Sequence, residues 1–132
     1  MKLINNTKDL LTSLKLEAKS SLPIRNFQID SRKVQKNSVF FGLNGSNKDG
    51  SIYADDALTK GASLAIIKKS KMTSSTFHSP KIIQVQRPED MLIEAAAIAM
   101  KRYKGNIIGV TGSNGKTTTK NILNACIKNS YA

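Results

Sequence analysis

A chain of 132 residues with 39% apolar, 5% aromatic and 23% charged residues is long enough for one small domain, or for one domain and the beginning of another, and is too apolar to be disordered. Its formal charge of +12, from 21 Lys and Arg against 9 Asp and Glu, favours anionic partners in general. The lysines are spread along the chain, however, and the absence of Trp with few other aromatics weakens a single-strand binding reading, which needs stacking platforms.

Cys126 is the only cysteine, which excludes an intramolecular disulfide and a cysteine-based zinc site. No apolar run reaches the length of about 18 residues that spans a bilayer, and the N-terminus has no continuous apolar stretch of the signal-peptide kind. The expectation is a cytoplasmic protein that needs neither membrane nor nucleic acid.

Leu10, Leu11 and Leu14 recur at helical spacing behind Thr7 as N-cap, which predicts a short amphipathic helix from Thr7 to Leu16, ended by SSLPIRNF. FQID and SVFFGL follow as strands, the second apolar on both faces and so interior to a sheet. After the loop GLNGSNKDG, Ile52, Tyr53, Ala57 and Leu58 line one face of a helix that Gly61 ends. SLAII and KIIQV are two more strands, separated by the basic, Ser/Thr-rich KKSKMTSSTFHSP, in which His78 has no neighbouring ligand for a metal.

RPEDMLIEAAAIAMKRYKG carries mutually consistent helix signals. Pro88 suits the first position, Glu89 and Asp90 the positive end, and Lys101, Arg102 and Lys104 the negative end before Gly105. NIIGV is then a strand and the helix from Thr117 onward has Ile122, Leu123, Cys126 and Ile127 as its apolar residues. Strands alternating with helices predict an α/β chain. We place a domain boundary near Val85 to Pro88, giving segments 1–85 and 86–132, and find no internal repeat.

The segment NIIGVTGSNGKTTTKNIL, from Asn106 to Leu123, is strand, tight turn and helix. Glycines let backbone N–H groups converge on an anion, and the positive end of the following helix adds to the attraction. Gly112 and Gly115 supply the first property and the helix near Lys116 the second. Lys116 can lie along the β and γ phosphates of a nucleoside triphosphate, and the Thr117 hydroxyl can take a place on Mg²⁺. The glycine spacing departs from G-x-x-x-x-G-K-[ST], because Val110 stands five residues before Gly115. An ordinary Asn-Gly turn before a helix is the competing reading.

GVTGSNGKTTTKNIL is similar to the ATP-binding loop of the Mur ligases, ATP-dependent amide-forming ligases of peptidoglycan synthesis, whose pattern is T-G-[ST]-N-G-K-[ST]-T. Ser113 and Lys120 resemble the branch that adds D-alanyl-D-alanine more than the tripeptide-forming branch. A second stretch, IDSRKVQKNSVFFGLNGSNKDGSIYADDALTKGASLAII, resembles the first domain of both branches. There the pattern is D-S-R-x-V-x-x-G-x-[LV]-F-x-[AG]-L-x-G, then D-G-H-x-[FY], then A-x-x-x-G-A. Asn37 and Ser38 replace the usual Gly-Asp, and Ser51 replaces the usual His.

The resemblance implies a small N-terminal Mur-ligase-type α/β domain followed by the truncated start of a P-loop nucleotide-binding α/β domain. It implies ATP and Mg²⁺, held by Gly112, Ser113, Asn114, Gly115, Lys116, Thr117 and Thr118, with Lys116 in the catalytic role and Thr117 toward the metal. Ser31, Ser46, Asn47 and Lys48 would contact the uridine diphosphate of a UDP-N-acetylmuramoyl-peptide. The reaction implied is transfer of the γ-phosphoryl group to the peptide carboxylate, then attack on the acyl phosphate by D-alanyl-D-alanine.

Taken singly, Asp30 and Arg32 fit a surface ion pair or turn cap equally well, and Lys48 fits a solvated surface lysine. The chain is expected to be a monomer and an N-terminal fragment without ligase activity of its own. Two alternatives stay open: the step from UDP-N-acetylmuramoyl-dipeptide to tripeptide, and a basic nucleic-acid-binding module without catalysis.

Overall fold

The computed structural model describes residues 5–45, 49–69 and 79–130. Its centre is a four-stranded, all-parallel sheet in the order β1 (Asn26–Gln28), β2 (Ser38–Gly42), β3 (Leu64–Lys68), β4 (Ile82–Val85). The register aligns Phe27 with Val39, Phe40 with Ala65, and Ile66 with Ile83. These four strands are the ones expected from FQID, SVFFGL, SLAII and KIIQV.

Every residue of β2 is buried, because both faces of the sheet are covered. Val39, Phe41, Leu64 and Ile66 point to one face with Leu10, Leu11, Leu14 and Ala95. Phe40, Ala65 and Ile67 point to the other with Val34, Ala54 and Ala57. Alternate side chains of a strand go to opposite faces, so a run apolar at every position is what a doubly covered parallel strand requires.

Helix α1 (Thr7–Ser13) is shorter than expected and starts one residue earlier in its capping. Asn6, not Thr7, is the N-cap, its Oδ1 accepting from Asp9 N at 2.8 Å. Thr7 is instead buried, its Oγ1 donating to Ser20 O at 2.9 Å and accepting from Leu22 N at 3.0 Å. The helix stops because Leu16 N bonds Leu11 O and Lys15 N bonds Thr12 O, a Schellman closure with Lys15 at φ 57° in the position that favours glycine.

The segment between β2 and β3 is a 3-10 turn (Gly50–Tyr53) running into α2 (Ala54–Thr59). Gly61, at φ +97°, closes it, as its sequence position indicates. Asn37 adopts φ 68°, which explains why a family pattern with Gly there tolerates Asn: its short polar side chain is among the few that enter the left-handed region.

Helix α3 (Pro88–Arg102) begins on Pro88 with Glu89 and Asp90 in its first turn. Its Ala95 is 1% exposed in the α1 side of the core, with Met91, Leu92 and Ile98 packed around it. The helix assigned from sequence to the second segment thus packs on the sheet of the first. Helix α4 (Lys116–Ser130) begins one residue before the expected Thr117. Residues 106–110 pair with no strand among the described residues, and Ile107 and Ile108 are 58% and 62% exposed. A strand is defined by its partner, so NIIGV is not a strand here despite its composition.

Candidate functional sites

A cleft of about 490 Å³ opens where β1 and β2 end, lined by residues 29–32, by Leu43, Gly45 and Gly50, and by Phe40 and Tyr53. The carboxyl ends of parallel strands are where such sheets place ligands. Ser31 opens a 3-10 turn (Ser31–Lys33) whose N-cap, Asp30, accepts from Arg32 N at 3.0 Å. Arg32 also grips the same carboxylate with two bonds, Nε to Oδ1 and Nη2 to Oδ2, both 2.9 Å. Asp30 and Arg32 are therefore cap and ion pair at once. The guanidinium bonds, joined by the Arg32 backbone N–H, hold the Asp30 carboxyl down at about 2 and push Arg32 up.

Of the four residues expected to meet the uridine diphosphate, Ser31 lines this cleft; Ser46, Asn47 and Lys48 lie outside the described residues. Their flanks are fixed. Gly50 N donates to Leu43 O at 3.0 Å and Asn44 pairs with Asp49 in an isolated antiparallel bridge. With its amide oriented to satisfy both neighbours, Asn44 donates to Asp49 Oδ1 and accepts from Lys68 Nζ, each at 3.2 Å.

Gly50 must be glycine, since a Cβ there would lie 2.3 Å from Leu43 O. Ser51, standing where the family pattern has His, is fully buried. Its N–H donates to Asp49 Oδ1 at 2.9 Å and its Oγ accepts from Lys68 N at 3.1 Å, so it fastens the loop to the end of β3 and does not face the cleft.

Sequence reasoning missed one residue that lines this cleft and two pairs that brace it from outside. Tyr53 was read as a helix-face residue. Asn44 N donates to Glu89 Oε1 at 3.1 Å, tying the loop to the first turn of α3; Glu89's own backbone N–H and that of Asn44 lower the Glu89 carboxyl below its ordinary range. Lys60, paired with Asp56 at 2.7 Å, supports Ser31 from the end of α2 by donating to its backbone O at 3.2 Å, and the i, i+4 spacing of the pair was the available signal.

The second candidate site is the turn before α4. Gly112 and Gly115 have φ +147° and +75°, values that L side chains rarely adopt and that the glycines were expected to supply. Thr119 N bonds Gly115 O at 2.9 Å, which makes Gly115 the N-terminal boundary and leaves the N–H groups of Lys116, Thr117 and Thr118 without partners inside the helix. Lys116 Nζ donates to Gly112 O, so the ammonium folds back across the loop. Lys116, Thr117 and Lys120 line one cavity of about 280 Å³ with Ile108 and Val110; Ser113 and Asn114 occupy the bend between the glycines.

These residues fit a nucleoside triphosphate. Two ammonium groups and a row of helix-end amides suit phosphates, and space around Gly115 is open, with nothing within 4 Å of a Cβ there. For Mg²⁺ the chain offers the Thr117 hydroxyl; among the described residues no cluster of three His, Cys, Asp or Glu could hold a metal alone. No helix among the described residues is long and apolar enough to cross a membrane.

Residues 23–113 match the model of the Mur ligase family, catalytic domain. The chain is 33% identical over 129 residues to the UDP-N-acetylmuramoyl-tripeptide–D-alanyl-D-alanine ligase of Rickettsia prowazekii, covering 98% of this chain and 28% of that protein. It is 31% identical over 119 residues to the UDP-N-acetylmuramoyl-L-alanyl-D-glutamate–2,6-diaminopimelate ligase of Clostridium tetani, covering 86% of this chain and 24% of that protein.

Among solved structures, the MurF ligase of Thermotoga maritima in complex with ADP superposes with a TM-score of 0.65 at 35% identity, over 93% of this chain and 25% of that one. The chain spans about a quarter of the length of the relatives it matches. With the family model matching over sheet, cleft and the start of the glycine loop, the chain belongs to the Mur ligase family.

Proposed function

We propose that this chain is the N-terminal part of an ATP-dependent amide ligase that adds D-alanyl-D-alanine to UDP-N-acetylmuramoyl-tripeptide through an acyl phosphate. The observation that carries the reading is the alignment across 98% of the chain with a ligase of that name, joined to the two sites it would need. The cleft at Ser31 would take the uridine diphosphate end, aided by Ser46, Asn47 and Lys48. The loop from Gly112 to Thr118 would take ATP, with Thr117 toward Mg²⁺.

ATP supplies the phosphoryl group that activates the carboxylate. Lys116 and the helix-end amides would offset charge on that group, a contribution that grows where water is excluded. In this reading residues 1–85 form the substrate-binding part and 86–132 begin the ATP-binding part, and the chain acts in the cytoplasm as a monomer without ligase activity of its own.

A second reading has a specific observation behind it, since relatives of similar identity are diaminopimelate ligases, among them one from Clostridioides difficile at 36% over 120 residues. It assigns the preceding step, UDP-N-acetylmuramoyl-dipeptide to tripeptide. The deciding experiment reads the coding sequence past Ala132 and assays the complete product for phosphate release. Release that depends on tripeptide substrate and D-alanyl-D-alanine supports the first reading, release that depends on dipeptide substrate and diaminopimelate supports the second, and release with neither contradicts both.

A further inference from the structure

At the end of the sheet opposite the cleft, three lysines share a second cavity. It has a volume of about 390 Å³, opens at the amino ends of β2, β3 and β4, and is lined by Lys36, Lys60 and Lys81 together with Asn37, Leu22 and Pro23. Each lysine comes from a different part of the chain: Lys36 from the turn before β2, Lys60 from the end of α2, and Lys81 from the residue before β4.

The backbone holds these parts together. A Cβ on Gly61 would lie 3.2 Å from Lys36 Cα, and Asn37 N donates to Gly61 O at 2.9 Å, so the turn before β2 is pressed against the end of α2. Lys81 O accepts from Ala65 N at 2.9 Å. Ser63 Oγ donates to Pro23 O at 2.7 Å, which ties the Leu22 and Pro23 wall to the start of β3. Walls fixed in this way need not be ordered by what binds between them.

No acidic residue lines the cavity. Lys60 Nζ donates to Asp56 Oδ2 at 2.7 Å and to Ser31 O at 3.2 Å, which leaves one of its three N–H groups and offsets one of the three charges. Lys36 and Lys81 have no carboxylate partner among the described residues. Asn37 adds a side-chain amide that can donate.

We propose that this cavity binds a small anion carrying phosphoryl groups, held by Lys36 and Lys81 with the remaining N–H of Lys60 and the Asn37 amide. Ammonium groups are point charges, and three of them on separate walls suit the spread oxygens of a phosphoryl group; a planar carboxylate is matched best by the fork of an arginine, which is absent here. The lining has no aromatic side chain on which a base could stack, so the anion needs no nucleobase. The site stands apart from both the cleft and the glycine loop and rests on the reading of neither.

An amide shift map of ¹⁵N-labelled residues 1–132, titrated with inorganic pyrophosphate at low salt, tests this. Saturating shifts are expected at residues 36–37, 59–63 and 81, resolved from any at 112–118. In the double variant Lys36→Gln, Lys81→Gln the dissociation constant read at those amides is expected to rise about tenfold, and in Lys81→Gln alone about threefold. Lys101→Gln with Lys104→Gln removes the same charge away from the cavity and is expected to change it by less than about twofold. Lys36→Arg with Lys81→Arg, which keeps the charge, is expected to retain binding.

Equal weakening by the two glutamine pairs would overturn the proposal, since it would reduce the effect to the general attraction of a chain with a charge of +12. Shifts that fail to saturate, or none at residues 36–37, 59–63 and 81, would overturn it as well. Urea unfolding of each variant reads whether a loss of binding comes from a loss of fold.

Discussion

Residues 5–103 and residues 105–130 contain the same kinds of local signal, an apolar run followed by a turn and a helix, and they differ in what those signals obtain. In the first region β2 lies between two strands and two covering layers, and Phe40, Phe41, Ile66 and Ile67 are at most 1% exposed. In the second, Ile108, Ile122 and Ile127 are 62%, 59% and 45% exposed. The lesson is that an apolar pattern specifies a face and leaves the partner of that face to the rest of the fold. The glycine loop nonetheless keeps its shape, because its two glycines and the helix end are local features that need no sheet beside them.

Core truncation should break the comparison most sharply. Phe40→Ala is expected to cost about 3–5 kcal/mol in urea unfolding, whereas Ile122→Ala should stay within about 0.5 kcal/mol. Equal losses would mean that α4 shares the core. Next in size, Gly50→Ala forces a Cβ into Leu43 O and should destabilise by about 1–3 kcal/mol while weakening UDP binding; Gly115→Ala, in open space but at φ +75°, should cost about 1–2 kcal/mol in the loop and leave urea unfolding of the sheet unchanged.

A smaller effect separates the ends of α1. Lys15→Gly removes a left-handed lysine and is expected to raise stability by up to about 1 kcal/mol. No change would show that the Schellman closure is already relaxed.

The last prediction concerns charge. The Asp30 carboxyl is depressed to about 2 in the folded chain, below an unfolded value of about 3.9. Its pair with Arg32 therefore contributes fully above pH about 4, and the contribution is lost as the pH falls toward about 2. A carbon-detected NMR titration should find that low midpoint, and Arg32→Ala should return it most of the way to the ordinary carboxylate range.

Much of this was legible in the sequence. Four strands were placed to within a residue or two, since β-branched and aromatic runs between turn residues leave few alternatives, and the agreement of Pro88, Glu89 and Asp90 located α3. The glycine loop was legible for the same reason it is stable, being local. The choice of Thr7 over Asn6 as cap was wrong because both residue types cap well and only the burial of Thr7 against Ser20 and Leu22 decides between them. NIIGV was misread because pairing is not local. The role of Ser51 was hidden because a polar residue in a loop gives no sign that its hydroxyl will bond a backbone 17 residues away.

The most direct test of the central proposal, that the cleft of the sheet unit takes uridine diphosphate and the glycine loop does not, is an amide shift map of the ¹⁵N-labelled chain titrated with UDP. Shifts are expected at residues 29–32 and 43–53, with residues 112–118 unmoved, and the same map in Lys116→Ala. Shifts centred on the glycine loop, or none at millimolar UDP, would contradict it.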